Sequence, residues 1–154
     1  GLLVGGVLLI LGMAFGLTNV LIDAQVPDRA IEWVTATIHS KWLFLLSLNV
    51  LLILVGCLMD IFSAIVVVVP LLIPLGAAFG IDPVHLAILF LVNLELGYLT
   101  PPVGMNLFLA AYRFDKPILE VARAAIPVLI LFLISALLVT FFPPLTTFLP
   151  KLME

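Results

Sequence analysis

Residues 93–106 read Asn-Leu-Glu-Leu-Gly-Tyr-Leu-Thr-Pro-Pro-Val-Gly-Met-Asn, and the types and spacing there suit ion and anion handling better than bond making. Pro101 and Pro102 bring no N–H, so carbonyls around Gly97 to Leu99 lose their helical donors and can face a cation. Pro102 also suits the first turn of a new helix, whose N–H groups from Val103 to Met105 would favour an anion. Apolar sequence flanks the stretch on both sides, which puts the break inside a membrane helix. Unpaired backbone there costs several kcal/mol unless protein buries it or it lines a water-filled cavity. Discontinuous helices of this kind carry the substrate and ion sites of secondary transporters. The candidate binding residues are Asn93, Gly97, Thr100, Pro101, Pro102, Gly104 and Asn106. Taken alone, the break has a second explanation, a kink that only shapes packing, because Pro and Gly are frequent in membrane helices.

Asp60 and Ser63 form a second candidate group. Asp60 separates two apolar runs, 42–59 and 61–79, with Pro70 and Pro74 in the second. If both runs cross the bilayer, Asp60 is a solvated turn or cap residue. If they form a re-entrant hairpin, the tip at residues 60–63 reaches the midplane, where an ionisable group is expensive and functional by default. Run length leaves both open, since each has about eighteen residues, close to the lower limit for a span. Asp60 and Glu95 are also the two acids that an intramembrane aspartyl protease would need. That chemistry takes a matched pair sharing a proton and a Gly-x-Gly-Asp motif, whereas this chain has Gly56-Cys-Leu-Met-Asp60. No enzyme is expected. Cys57 reads as a packing residue, His39 as interfacial and His85 as structural.

The elements that must position these groups are membrane helices. Hydrophobic residues make up 65% of the 154 positions and charged ones 10%, and the mean hydropathy is +1.42. No water-soluble domain of this size sustains that balance. With no basic run, nucleic-acid binding is excluded as an expectation. The chain opens without Met directly in a hydrophobic segment, as a piece of a longer protein would.

In chain order, residues 1–22 form a span. Residues 27–40 carry charge among Ile31, Val34 and Ile38, which share one helical face, and predict an amphipathic arm along the membrane surface. Residues 42–79 are the paired apolar helices. Asp82 and Pro83 cap the start of a broken helix over 84–112. Arg113, Lys116 and Arg123 mark a cytoplasmic connector by the positive-inside rule. A final span over 124–142, starting near Pro127, is expected to end at Pro143-Pro144 and leave a short tail.

Leu48-Asn49 through Gly56 and Asp60, Pro70, Pro74, Gly80-Ile-Asp-Pro-Val-His85, Asn93, Gly97, Thr100-Pro-Pro-Val-Gly104 and Asn106-Leu-Phe108 resemble the large membrane subunit of TRAP (tripartite ATP-independent periplasmic) transporters. The resemblance runs from about residue 42 to 150. It implies an all-α, polytopic membrane protein, the second inverted repeat of an ion-transporter-superfamily elevator fold with a re-entrant hairpin over 42–79. It favours the re-entrant reading of Asp60. It also implies a sodium-coupled symporter that imports C4-dicarboxylates or related organic acids across the bacterial or archaeal cytoplasmic membrane. Sodium is then the coupling ion, with Gly97, Thr100 and Asp60 its candidate ligands and no other cofactor. The implied partners are a small membrane subunit, a periplasmic solute-binding protein, the first repeat of the same subunit and the lipid bilayer. Glu95 stands where many members have an uncharged residue and is given no sodium role. The alternative is a non-transporting membrane scaffold or assembly subunit.

Overall fold

The computed structural model describes residues 12, 13, 16, 19, 20, 23–59, 61–101 and 104–153. Most of the expected first span, together with Asp60, Pro102 and Val103, lies outside the described residues. Among those described the chain is all-helical. Its helices are α1 (Val26–Thr37), α2 (Lys41–Leu58), α3 (Ile61–Ala78), α4 (Pro83–Tyr98), α5 (Met105–Phe114), α6 (Ile118–Phe141) and α7 (Pro144–Met153). Three of them, α2, α3 and α6, are long and apolar enough to cross a membrane. Hydroxyls inside these helices are satisfied locally, Ser47 on the Leu43 carbonyl at 2.8 Å and Ser135 on Leu131 at 2.9 Å. That economy is what an apolar surrounding demands of a polar side chain.

α1 packs Ile31 and Val34, with Ile38 at its C-cap, onto the core and leaves Trp33 exposed. Its hydroxyls bond back into the helix, Thr35 to Ile31 at 2.6 Å and Thr37 to Trp33 at 2.8 Å.

α2 and α4 form the centre. Phe44, Leu45, Leu48 and Leu52 of α2 meet Leu86, Leu89, Phe90 and Leu94 of α4 in one buried cluster. The two helices approach to backbone contact where each carries a glycine. A Cβ on Gly97 would stand 2.6 Å from the Gly56 backbone, and one on Gly56 would stand 2.7 Å from the Leu94 carbonyl oxygen. Only residues without a Cβ permit that crossing, which is the usual device for tight helix pairs in membranes.

α3 returns from the far end of α2 and stops at the Gly80 turn. Gly80 adopts φ +62. The N–H of Ile81 reaches the Gly76 carbonyl at 2.9 Å and that of Gly80 reaches Ala77 at 3.0 Å, a Schellman termination. The Lys41 ammonium donates to the Gly80 carbonyl at 2.9 Å, so the start of α2 and the end of α3 are tied together. Phe44 stacks on Phe79 at the same level, ring centroids 4.2 Å apart. Asp82 then caps α4, its carboxylate accepting from the Val84 and His85 N–H groups at 2.8 and 3.2 Å. α4 therefore runs parallel to α2.

α6 begins at Ile118, earlier than the apolar run suggested, and Pro127 lies inside it. Its first turns carry Glu120 and Arg123, and Lys116 pairs with Glu120 at 3.3 Å on the exposed connector. Helix formation at an interface needs no apolar side chains, so hydropathy alone sets the start too late. The segment after Pro143 is a helix, α7, in place of the expected tail. Pro144 occupies its first position, where a missing N–H costs nothing.

Candidate functional site

α4 ends at Tyr98 and α5 begins at Met105, so the expected interruption is present between them. The end of α4 tightens, with the Leu99 N–H on Leu96 at 3.1 Å and the Thr100 N–H on Gly97 at 2.9 Å. This corrects one expectation. The Gly97 carbonyl is not left without a donor, because the last turn closes onto it before the prolines begin. The carbonyls that gather are those of Tyr98 and Thr100. They approach Gly104 to 3.0 and 2.8 Å of where a Cβ would stand, and Gly104 adopts φ +42. Glycine is required there twice over, by conformation and by crowding.

The first arm of the hairpin reaches this point. The Gly104 N–H donates to the Cys57 carbonyl at 3.3 Å. Together with the contact between Gly56 and Gly97, this bond seats the last turn of α2 on the interruption. Ser63 lies half-buried in the first turn of α3. Asp60, on the same connection, is outside the described residues, as is Pro102. Pro101 is exposed.

The remaining candidates separate into two places. Thr100 donates its hydroxyl to the Leu96 carbonyl at 2.8 Å, which leaves the oxygen lone pairs for a further donor or a cation. Asn106 opens α5 and donates to Glu95 Oε1 at 3.1 Å, a side-chain bridge from one half-helix to the other. Glu95 thus has a visible task, holding the two halves in register. Asn93 is elsewhere. It is fully buried two turns before the interruption. Its amide donates to Asn49 Oδ1 at 2.5 Å and to the Leu89 carbonyl at 2.8 Å. Asn49 donates in turn to Thr140 Oγ1 at 3.0 Å, and Thr140 is anchored on the Ala136 carbonyl at 2.6 Å. The Asn93 Oδ1 atom has no hydrogen-bond partner among the described residues.

Asn49 enters the sequence reading only as part of the family resemblance, with no role, and Thr140 is not singled out there. The available signal was an amide in an otherwise apolar helix, since polar side chains at membrane depth seek each other. His85, read as structural, is buried and bonds Thr146 Oγ1 through Nδ1 at 2.7 Å. The Thr146 hydroxyl also bonds the Pro143 carbonyl at 2.8 Å, so α7 is pinned to the start of α4. Cys57 is buried and free, its thiol turned to the Leu54 carbonyl at 3.1 Å.

No group of three His, Cys, Asp or Glu side chains gathers among the described residues. The oxygens gathered near the interruption are the Tyr98 and Thr100 carbonyls, the Thr100 hydroxyl, the Asn106 amide oxygen and the Glu95 carboxylate that Asn106 reaches at 3.1 Å. An all-oxygen set suits hard cations.

Residues 1–145 match the family described as "Tripartite ATP-independent periplasmic transporter, DctM component". The chain is 37% identical over 142 residues to the C4-dicarboxylate TRAP transporter large permease protein DctM of Pseudomonas aeruginosa, covering 92% of this chain and 33% of that protein. It is 37% identical over 147 residues to the protein of the same name from Vibrio cholerae, covering 94% and 32%. To the sialic acid TRAP transporter large permease protein SiaM of Vibrio cholerae it is 34% identical over 128 residues, covering 83% and 30%. The chain spans about a third of the length of these curated relatives. They are named as transporter permeases, and no enzymatic activity is in their names. With the match running through nearly all of the sequence, and with helices fit to cross a membrane, this chain belongs to the DctM family of TRAP transporter large permeases.

Proposed function

We propose that the chain is the part of a sodium-coupled organic-acid importer that handles the coupling ion and one side of the substrate. The observation that carries this is the junction of α2 with the interruption between α4 and α5. There the Tyr98 and Thr100 carbonyls, the Thr100 hydroxyl and the opening N–H groups of α5 come within one helical turn of the hairpin end. Carbonyl oxygen serves a cation, and the start of a helix serves a carboxylate. Placing both at one break lets the two ligands bind as a neutral pair, which is the physical basis for coupling their movement.

A re-entrant hairpin accounts for the lengths. α5 continues for ten residues beyond the point where the hairpin ends, about 15 Å further at 1.5 Å per residue. Both α5 and α4 contact α6. A hairpin ending there stops short of the connector at residues 115–117. On this reading Asp60 is a candidate ligand of the coupling ion. The family description, a component of a tripartite periplasmic transporter, supports a small membrane subunit and a periplasmic binding protein as partners. To these we add a second inverted repeat moving as an elevator in the cytoplasmic membrane. Relatives named for C4-dicarboxylates and for sialic acid both align, over 92% and 83% of the chain, so the carried class is organic acids, with C4-dicarboxylates first.

The test is sodium-dependent uptake by the permease reconstituted with its partner proteins. Thr100→Ala removes one neutral oxygen from the ion. Lost hydrogen bonds to charged groups cost about 1.5–3 kcal/mol, so apparent sodium affinity falls roughly ten-fold or more while expression and assembly persist. Unchanged sodium dependence in Thr100→Ala contradicts the assignment.

A further inference from the structure

We propose that the groove between α3 and α4 is a phospholipid site, taking one acyl chain along its length and a zwitterionic headgroup at the Gly80 turn. Ile65, Val69, Ile73 and Ala77 of α3 face Leu86 and Phe90 of α4 across a cavity of about 380 Å³. Every residue lining it is apolar, and Ile81 and Pro83 of the turn stand at one end. Water has no partner in such a groove and does not fill it.

Its length matches one leaflet. From Ile65 to Ala77, α3 advances twelve residues, about 18 Å, against about 15 Å for half of a hydrocarbon core of roughly 30 Å. The turn at residues 79–82 ends α3 and carries charge, so the mouth of the groove lies at the polar boundary.

Lys41 and Asp82 flank the turn whose Ile81 and Pro83 line the groove, and their charges select the headgroup. The Lys41 ammonium holds the Gly80 carbonyl with one of its three donors, at 2.9 Å. Asp82 is exposed and spends one carboxylate oxygen capping α4. Among the described residues neither side chain is in an ion pair, the one ion pair there being Lys116 with Glu120. A cation and an anion at one turn, both with capacity left over, complement a phosphoethanolamine headgroup, its phosphate toward Lys41 and its ammonium toward Asp82. A purely anionic headgroup would meet Asp82 with like charge. None of the residues that line the groove belongs to the interruption.

Native mass spectrometry of the purified protein in mild detergent, with phosphatidylethanolamine or phosphatidylglycerol added, tests it. The wild-type protein is expected to retain one phosphatidylethanolamine per polypeptide in preference to phosphatidylglycerol. Ala87→Trp fills the groove from α4 and is expected to cut retention by roughly five-fold or more, as overfilling a packed space does. Leu131→Trp adds the same bulk to the outward face of α6 and is expected to leave retention unchanged. Asp82→Asn is expected to abolish the preference for the ethanolamine headgroup, and Lys41→Gln to weaken retention of both lipids. These two variants decide the matter alone if Ala87→Trp does not fold. Equal retention by Ala87→Trp and wild type, an unchanged headgroup preference in Asp82→Asn, or a groove that holds polypeptide in place of lipid overturns the proposal.

Discussion

Asn49, Asn93 and Thr140 join three helices through side chains that the bilayer would otherwise penalise. Asn49 and Thr140 are 91 residues apart, so no local pattern announces their meeting. Truncating one partner strands the others in an apolar interior. Side-chain hydrogen bonds in membranes couple by about 0.6 kcal/mol on average, with a maximum near ~1.7. Asn49→Leu and Asn93→Leu are each expected to lower thermal stability in detergent, and the double variant to fall short of the sum by about 1 kcal/mol in a mutant cycle. Additive losses would show that the two amides do not interact. Gly97 tests a different contact. Its Cβ would meet the Gly56 backbone at 2.6 Å, and backbone cannot rotate away as a side chain can. Gly97→Ala is expected to cost about 1–3 kcal/mol of stability, and Gly56→Ala a similar amount, with the pair less than additive because either opens the same crossing.

At the scale of elements, much was legible before the fold was known. Apolar runs gave α2, α3 and the body of α6, since only hydrophobic helices of that length satisfy their own backbone in lipid. Asp82-Pro83 gave the start of α4, because capping is a local reaction between a side chain and the next two N–H groups. The interruption was legible from Pro101 and Pro102 set between apolar runs, although the same residues also allowed a simple kink. What was hidden depended on distance or on polarity. The early start of α6 carries Glu120 and Arg123, which hydropathy counts against a helix. α7 hid behind Pro143-Pro144, a pair that reads as a stop although Pro144 opens a helix well. The bridge from Asn106 to Glu95 was hidden too, since whether α5 turns back toward α4 depends on the conformation of Gly104. α7 also yields a prediction. His85 and Thr146 are its buried polar tie to α4, so His85→Ala is expected to speed hydrogen exchange across residues 144–153 while α4 stays protected. Unchanged exchange in α7 would mean that packing alone holds it.

For the molecule as a whole, α2, α4 and α6 form a connected unit through glycine crossing and amide contacts. α3 completes the hairpin through its tie at Gly80 and carries Pro70 and Pro74 in its interior. Interior prolines remove helix hydrogen bonds and permit bending. α2 is held against α4 by close backbone contact while α3 carries the two prolines. Under the proposed function, this would let the α2–α3 pair open and close over ligands at the interruption. Met59 is the last described residue before Asp60 and is half-buried. The most direct measurement is the rate at which a thiol reagent modifies Met59→Cys in a Cys57→Ala background, with and without sodium and with the organic acid delivered by its binding protein. Sodium and substrate together are expected to slow modification relative to choline, because ligands at the interruption close the hairpin end over it. Identical rates in sodium and choline, with and without substrate, would contradict a shared site at the hairpin end and the break.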